Sequence, residues 1–227
     1  MTGILAFIPA RKGSKGLPSK NTMLFAGKPL IAHTIEVALK ANVDDIFIST
    51  DDPVVLDIAK DYGIEVSYFR PPHLASDEAG MTDVISHGLD WRNNQGKQDV
   101  SLLLLQATSP LRTVNEVNQA VKIHQETGKP VFGVSPMWTH PTECIQLENG
   151  QSWRYLVEPS SANRRQDYKG SYQFINGAIY LATIDFFNNN GKLLDINSIP
   201  FIMNAVNTID IDNEMEFFAA EALCGLT

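Results

Sequence analysis

The sequence predicts an α/β fold with a mostly parallel β-sheet, because apolar segments of strand length alternate with segments of helical periodicity. Residues 4–8 form an unbroken apolar run, which is typical of a strand buried on both faces. In residues 29–42, apolar side chains recur at helical spacing, which predicts a helix. Another strand-like run follows at residues 45–50, so the chain has the order of a right-handed βαβ crossover.

The same alternation continues through most of the chain. We predict further strands at residues 65–69, 99–105, 131–134, 175–181 and 201–206. We predict further helices at residues 53–62, 82–91 and 115–127, a short one from residue 184, and a final one at residues 214–223. Asp52 is the expected N-cap of the second helix, since Pro53 suits the first helical position. We expect residues 1–227 to form a single domain.

The alternation is interrupted at residues 136–174. This segment contains three prolines and the dipeptide Asn149-Gly150, a typical turn between two hairpin strands. A long surface loop would explain the composition, but loops of this length are uncommon unless they have a function. Trp138, Trp153 and Tyr155 are large side chains of the kind that anchor protein interfaces. We therefore expect an inserted segment that forms a homodimer.

Composition and charge exclude several classes of protein. A net charge of -8 and a pI near 5.1 disfavour nucleic-acid binding, because no overall basic field attracts a phosphate backbone. No stretch approaches the ~20 apolar residues of a membrane span, so no membrane association is expected. Cys144 and Cys224 are too few and too far apart for a disulfide framework or a zinc site. Since no secretory signal pattern precedes Arg11, the sequence predicts a cytoplasmic protein.

The loop after the first strand concentrates positive charge in an otherwise acidic chain. Gly13 and Gly16 allow backbone N–H groups to approach a ligand closely, and consecutive N–H groups can form an anion-binding nest. The loop has neither the P-loop pattern nor the glycine pattern of dinucleotide-binding proteins. A solvated loop is the alternative, but four cations at this position favour a polyphosphate ligand. These cations are Arg11, Lys12, Lys15 and Lys20.

Polar residues follow each of the predicted parallel strands. Residues 9–11, residues 50–51, Arg70 and residues 106–109 all lie where a strand ends. Ligands of parallel sheets bind beyond the carboxyl ends of the strands, so these residues are expected to converge on one site. Gln106, Thr108 and Ser109 offer neutral donors and acceptors that suit a polyol, although ordinary turn chemistry before Pro110 explains them equally well.

Asp210 and Asp212 form the second charged feature. Residues i and i+2 of an extended chain point to the same side, so both carboxylates are expected to face one volume. Hard oxygen ligands at this spacing suit Mg²⁺ that is shared with substrate phosphates. Asp212 also precedes the last predicted helix, so an N-cap role is the alternative.

Five motifs in this sequence resemble those of the acylneuraminate cytidylyltransferases, the CMP-sialic acid synthetases, a group that includes CMP-legionaminic and CMP-pseudaminic acid synthetases. Each motif is weak alone, but the five occur in the order found in that family and span nearly the whole chain. In chain order they are IPARKGSKGLPSKN (8–21), LLLLQATSPLR (102–112), RRQD (164–167), NGAIY (176–180) and IDID (209–212).

The resemblance implies a three-layer α/β/α, Rossmann-like fold of the nucleotidyltransferase type, with an inserted dimerisation subdomain. It implies transfer of CMP from CTP to the anomeric hydroxyl of a 2-keto-3-deoxy nonulosonic acid, with release of pyrophosphate and with Mg²⁺ or another divalent cation as cofactor. Synthesis of CMP-legionaminic acid, CMP-pseudaminic acid or CMP-Kdo is the alternative within this class. A catalytically inactive nucleotide-binding module is the alternative outside it.

The resemblance also implies roles for individual residues. Nucleotide binding falls to Ala10, Arg11, Ser14, Lys15, Lys20, Asn21 and Arg70. Sugar binding falls to Gln106, Thr108, Ser109, Tyr180 and Arg165, the last supplied to the partner subunit's site. The catalytic set is Arg11, Lys20, Asp210 and Asp212, and the two aspartates hold the metal. Departures from the family pattern at Glu143, Phe174 and residues 193–194 concern the sugar, so its identity stays open.

Overall fold

The computed structural model describes residues 3–14, 16–158 and 171–224. The strands are β1 (Ile4–Pro9), β2 (Leu24–Phe25), β3 (Lys28–Pro29), β4 (Asp45–Ser49), β5 (Ser101–Leu104), β6 (Val131–Pro136), β7 (Ile145–Glu148), β8 (Ser152–Tyr155), β9 (Gln173–Thr183) and β10 (Ile199–Ile202). The α-helices are α1 (Leu30–Lys40), α2 (Pro53–Asp61), α3 (Met81–Asn94), α4 (Val114–Thr127), α5 (Ile184–Asn190) and α6 (Glu214–Leu223).

Six of these strands form one sheet, in the order β10-β6-β9-β5-β1-β4. The pairs β1/β4, β1/β5 and β10/β6 are parallel, whereas β9 runs antiparallel to both of its neighbours. The predicted α/β fold with a mostly parallel sheet is therefore confirmed.

The apolar run of β1 is buried because helices cover both faces of the sheet. Ile4, Ala6 and Ile8 belong to a core cluster with α1, α2 and α4, whereas Leu5 and Phe7 belong to a cluster with α3 and α5. This alternation follows from the two-residue period of a strand. The three-layer arrangement places the carboxyl ends of the parallel strands along one edge of the sheet.

The structure corrects two predicted strands. Residues 65–69 have no regular secondary structure: Tyr68 packs on Phe47 of β4 with ring centroids 4.9 Å apart, and after the segment the Arg70 N–H donates to the Thr50 carbonyl oxygen. The strand predicted at residues 201–206 is β10, and a 3₁₀ helix (Ala205–Thr208) replaces its second half. β-branched and aromatic residues suggested strands in both places, but a strand also needs a partner with free backbone groups in register.

The hairpin predicted around Asn149-Gly150 is confirmed as the separate two-stranded sheet β7–β8. Asn149 and Gly150 both have positive φ angles, 52° and 72°, as a tight hairpin turn requires. The second part of the interrupted segment, residues 159–170, lies outside the described residues. Within the described ranges, no helix is long and apolar enough to cross a membrane.

A third apolar cluster joins the β2–β3 hairpin to α6. Phe25 and Phe217 make an edge-to-face contact with ring centroids 5.5 Å apart, and the fully buried Ile211 packs in the same cluster. Because Ile211 is anchored between Asp210 and Asp212, this cluster fixes both carboxylates beside the first loop.

Candidate active site

A cavity of about 490 Å³ lies beyond the carboxyl ends of β1 and β5. We call it the site cavity. It brings together most of the residues singled out in the sequence, as expected for polar groups at the ends of parallel strands. Its lining includes Arg11, Ser14, Gly16, Lys20, Asn21, Arg70, Gln106, Thr108 and Asp212.

A larger cavity of about 790 Å³ lies along the outer edge of β4, against residues 63–68. Its polar side chains include Arg92, which pairs with Asp45 and Asp99 at distances of 2.9 and 2.5 Å. None of the loop cations described in the structure lines it. Both of its cationic side chains, Arg92 and Lys97, are already paired with carboxylates, so we place the active site in the smaller cavity.

The first loop is held by side chains from other parts of the chain. The Lys12 N–H donates to Asp51 Oδ1 at 2.8 Å, and Asn21 Nδ2 donates to the Arg11 carbonyl oxygen at 2.9 Å. At Gly16 the loop approaches the backbone of Asp212 so closely that an added Cβ would lie 2.0 Å from its carbonyl oxygen. Glycine is therefore required for this contact between the loop and the aspartate segment.

Lys20 links the loop to that segment. Its side chain is buried, and Nζ donates to Asp212 Oδ1 at 2.8 Å and to the Ile211 carbonyl oxygen. Asp212 itself is 71% exposed at the side chain. Its alternative role as an N-cap is wrong, because Asn213 caps α6 in a capping box with Glu216. The first loop therefore places Lys20 against Asp212, while the Asp212 carboxylate stays exposed to the site cavity.

Asp210 is less exposed than Asp212 and has a different environment. Burial raises the pKa of its carboxyl group, and the nearby Thr108 hydroxyl and Lys20 ammonium oppose this increase. Within the described residues, Asp210 Oδ1 is buried and has no hydrogen-bond partner of acceptable geometry. A buried carboxylate oxygen without a donor is costly, so the site is suited to a cation that supplies the missing interaction.

Two arginines also line the site cavity. Arg11 Nη1 lies 2.7 Å from Asp77 Oδ1, and both side chains are partly exposed. Arg70 is almost fully buried, and its guanidinium donates to the hydroxyl and carbonyl oxygens of Ser49. Burial lowers the pKa of Arg70, although its ordinary value is so high that the group stays charged. Arg11 and Arg70 are therefore cations held by protein partners in the lining of the site cavity.

A second chamber of about 390 Å³ adjoins the site cavity, since Gln106 and Met81 line both. Gln106 Nε2 donates to the Gly177 carbonyl oxygen at 3.3 Å. Gly177 has a φ angle of 76°, and an added Cβ would lie 3.3 Å from the same amide nitrogen. The remaining lining of the second chamber is Thr82, Ile85, Leu104, Tyr180, Phe187, Gly191, Lys192, Leu193 and Leu194.

Behind Gln106 lies a buried cation, Arg112. Its guanidinium donates to the Ala178 carbonyl oxygen at 2.6 Å, to Thr34 Oγ1 at 3.1 Å and to the Gln106 carbonyl oxygen at 3.2 Å. Burial lowers the pKa of Arg112 to about 10, which leaves it charged at neutral pH. It forms no ion pair within the described part of the chain, so its charge is stabilised mainly by carbonyl and hydroxyl oxygens.

Five predicted site residues are absent from the described lining of both cavities, and one of them is Asp210, although Asp212 lines the site cavity. Ala10 is buried, and its N–H donates to the Ser49 carbonyl oxygen. Ser109 is buried as well, beneath the end of β5. Lys15 and Arg165 lie outside the described residues. The roles assigned to these five residues, and to the other predicted site residues, stay predictions.

Sequence reasoning missed Asp77, Arg112 and Gly177 as parts of the site. Arg112 and Gly177 lie inside motifs that were recognised, but no local pattern shows what they contact. Asp77 is 66 residues away from Arg11 along the chain. From the sequence we could expect only that a clustered charge such as Arg11 needs a counter-charge. This rule does not tell which carboxylate is the partner.

Comparison with known proteins identifies the family. Residues 5–166 match the family described as Cytidylyltransferase. This chain belongs to the cytidylyltransferase family. The enzyme is 39% identical over 230 residues to the CMP-N,N'-diacetyllegionaminic acid synthase of Legionella pneumophila, a match that covers 98% of this chain and 97% of that protein.

Two further comparisons agree with this assignment. The cytidylyltransferase is 32% identical over 218 residues to the N-acylneuraminate cytidylyltransferase of Streptococcus agalactiae, covering 94% of this chain but only 51% of that protein. It thus spans about half the length of this relative. The solved structure of a CMP:2-keto-3-deoxy-manno-octonic acid synthetase complexed with CTP matches with a TM-score of 0.72, at 20% identity and over 99% of both chains. This likeness confirms the nucleotidyltransferase-type fold.

The close approach at Gly16 gives a test of the loop. We expect Gly16→Ala to lower turnover roughly 10²-fold, because the new methyl group forces the loop away from Asp212 and displaces Lys20. Gly13→Ala is the matched control, since an added Cβ there meets nothing within 4 Å. CTP affinity by calorimetry and turnover are measured for both variants. Equal behaviour of the two variants would show that the loop does not need this contact.

Proposed function

We propose that this cytidylyltransferase joins CMP from CTP to the anomeric hydroxyl of a nonulosonic acid and releases pyrophosphate. The observation that carries the proposal is the junction at Lys20, where the basic loop meets Asp212 at the rim of the site cavity. A cavity lined by Arg11, Lys20 and Arg70, with Asp212 in the same lining, suits a triphosphate whose charge must be neutralised. The similarity to legionaminic and N-acylneuraminate enzymes supports a nonulosonic acid as acceptor.

In this proposal the two cavities hold the two substrates. The site cavity, with Arg11, Lys20 and Arg70 in its wall, receives the triphosphate and the cytidine. The second chamber, which shares Gln106 with it and includes Tyr180, receives the sugar. Burial raises the pKa of Tyr180, so its phenol stays neutral and can donate a hydrogen bond to a sugar oxygen. Because the two cavities meet at Gln106, the anomeric hydroxyl of a sugar in the second chamber can face the α-phosphate in the site cavity.

The residues present fit a divalent cation. Asp210 Oδ1 is a buried acceptor without a partner among the described residues, and Asp212 is exposed toward the cavity. In those ranges, no group of three or more His, Cys, Asp or Glu residues is placed to hold a metal. Two carboxylates nevertheless suffice for Mg²⁺, which normally takes its other ligands from water and substrate phosphates. We propose that Asp210 and Asp212 hold this ion.

The chemistry needs positioning and charge neutralisation more than a covalent intermediate. The anomeric hydroxyl attacks the α-phosphorus in line, the bond to the bridging oxygen breaks, and pyrophosphate leaves. Arg11 and Lys20 neutralise the charge that builds up on the leaving pyrophosphate. When bound, a divalent cation supplies further neutralisation of the phosphate oxygens and lowers the pKa of a coordinated hydroxyl. Gln106, held by Gly177, orients the sugar for attack.

Pyrophosphate release tests the function directly. The enzyme is incubated with CTP, Mg²⁺ and a panel of keto-acid sugars that includes nonulosonic acids and Kdo. We expect release only when CTP, a nonulosonic acid and the metal are all present. Tight CTP binding without release from any sugar would instead support an inactive nucleotide-binding module, and preferential release with Kdo would support a CMP-Kdo synthetase.

A substitution of Asp212 distinguishes a metal ligand from a carboxylate that has only a structural role. We expect Asp212→Asn to lower turnover roughly 10²-fold or more, because a neutral amide is a poorer Mg²⁺ ligand. The melting temperature should stay close to that of the wild type, since Asn213 and not Asp212 caps α6. Glu214→Gln, an exposed carboxylate change two residues away, is the control. A normal rate with unchanged Mg²⁺ dependence would remove Asp212 from the mechanism.

We further propose that the β7–β8 hairpin contributes to a homodimer. Its register places Ile145, Leu147, Trp153 and Tyr155 on one face, with Leu147 directly opposite Trp153. This face is largely exposed, at 69% for Leu147 and 53% for Trp153. An isolated two-stranded hairpin is only marginally stable in water, so its apolar face needs a cover. A second copy of the chain is the cover that we propose.

Light scattering tests the dimer. We expect the wild type to be dimeric and Leu147→Asp to be monomeric, because a carboxylate in the centre of the apolar face cannot be buried without a partner. Leu24→Asp is the matched control, since Leu24 is also 69% exposed but lies on β2, outside the hairpin. A monomeric wild type with full activity would refute the dimer.

A further inference from the structure

A chain of hydrogen bonds leads from the site cavity into the interior of the protein. It starts at Arg70, which lines the cavity, and continues through Ser49, Tyr68 and His87. Arg70 Nε donates to Ser49 Oγ at 3.0 Å, and Nη2 donates to the carbonyl oxygen of the same residue. In the part of the chain that the structure describes, Nη1 has no hydrogen-bond partner, so this nitrogen is left for a ligand. The Ser49 contacts therefore set the direction in which Arg70 offers it.

Tyr68 extends the chain beyond Ser49. Burial raises the pKa of the Tyr68 phenol, and a hydrogen bond with the Ser49 side chain opposes this increase. On its other side the phenol oxygen lies 3.0 Å from Nδ1 of His87 on α3. Tyr68 and His87 are absent from the lining of the site cavity and of the second chamber. They can therefore act on a ligand there only through Arg70.

The direction of the chain follows from its first donor. A guanidinium group only donates, so Ser49 Oγ must accept from Arg70. The Ser49 hydroxyl can then donate to the Tyr68 oxygen, and the Tyr68 hydroxyl to Nδ1 of a neutral His87 that carries its proton on Nε2. If His87 offered no acceptor, the Tyr68 proton would turn toward Ser49, whose own proton would then lose its acceptor.

Packing fixes the phenol between β4 and α3. The Tyr68 ring lies against Phe47 of β4 and Trp91 of α3, with ring centroids 4.9 and 5.5 Å apart. The helix approaches the sheet closely at Gly88, where an added Cβ would lie 2.9 Å from the Phe47 ring. This approach brings the adjacent His87 within reach of Tyr68. The rings hold the phenol in place without its hydroxyl, so the hydroxyl can be removed while the packing stays.

We propose that Tyr68 and His87 are positioning residues for the nucleotide, which act through Ser49 to hold Arg70 in the orientation that receives CTP. The inference rests on the proposed function and adds two residues outside the cavity lining to it. A long side chain that is ordered before binding loses less conformational entropy when the ligand arrives. Interruption of the chain should therefore weaken CTP binding without changing the affinity for the sugar.

The first test removes the phenol proton in the full-length enzyme. We expect Tyr68→Phe to bind CTP roughly 3- to 10-fold more weakly by calorimetry, because one hydrogen bond contributes about this much. KM for CTP should rise by a similar factor. KM for the nonulosonic acid that gives the fastest pyrophosphate release should not change. Tyr62→Phe is the matched control, since the Tyr62 hydroxyl donates to Glu36 Oε1 at 3.0 Å and Tyr62 lines neither the site cavity nor the second chamber.

The second test changes the acceptor at the far end of the chain. We expect His87→Leu to weaken CTP binding as Tyr68→Phe does. His87→Asn should restore it, because the amide oxygen of asparagine offers an acceptor near the position of Nδ1. In a Ser49→Ala background, Tyr68→Phe should cause little further loss, since the chain is already interrupted and the two effects are not additive. Melting temperatures show that each variant is folded.

The outcomes separate this inference from the proposed function. Unchanged CTP affinity in Tyr68→Phe, failure of His87→Asn to restore binding, or fully additive losses in the double variant would each overturn the inference while the proposed function stands. An equal rise in KM for CTP and for the sugar would also overturn it, because it would indicate a general structural defect. Absence of CTP binding to the wild type would overturn both.

Discussion

The buried guanidinium of Arg112 is the interaction on which the geometry of the site depends. It connects α1 through Thr34, the end of β5 through the Gln106 carbonyl oxygen, and β9 through the Ala178 carbonyl oxygen. β9 is the antiparallel strand between β5 and β6, and its bend at Gly177 brings Tyr180 and the Gln106 contact to the second chamber. Loss of the guanidinium would remove the donor that the Ala178 carbonyl oxygen uses, at a cost of about 1–3 kcal/mol, whereas the Gln106 carbonyl oxygen would keep longer contacts of 3.4 Å from Thr34 Oγ1 and the Ser109 N–H.

The charges of the site are arranged in pairs that cross between distant segments. Lys20 meets Asp212, Arg11 meets Asp77, and the Lys12 N–H meets Asp51. These contacts hold a glycine-rich loop that has little regular structure of its own. Arg11 and Lys20 therefore occupy defined positions in an acidic protein, whereas cations on a loop without such contacts would attract a ligand only diffusely.

Much of the site could be predicted because its residues follow strands. Arg11, Gln106 and Thr108 come directly after apolar runs, and the parallel order of those runs requires that their ends meet. Asp210 and Asp212 were singled out from their spacing, and the residue between them, Ile211, is fully buried, as expected where side chains alternate between the core and the outside. The spacing left open whether Asp212 is the N-cap of α6. The structure answers this question, because Asn213 is the N-cap.

The sequence by itself determined the α/β class, the strands predicted at residues 4–8 and 45–50, the hairpin turn at Asn149-Gly150, and the family, because these depend on local periodicity and on contiguous motifs. Only the tertiary structure decided that residues 65–69 form no strand, that Arg112 clamps three elements, and that an apolar chamber adjoins the site cavity. The physical reason is that these features depend on pairings between residues far apart in the chain. Hydrophobic pattern tells which face of an element is buried, but not which partner it meets.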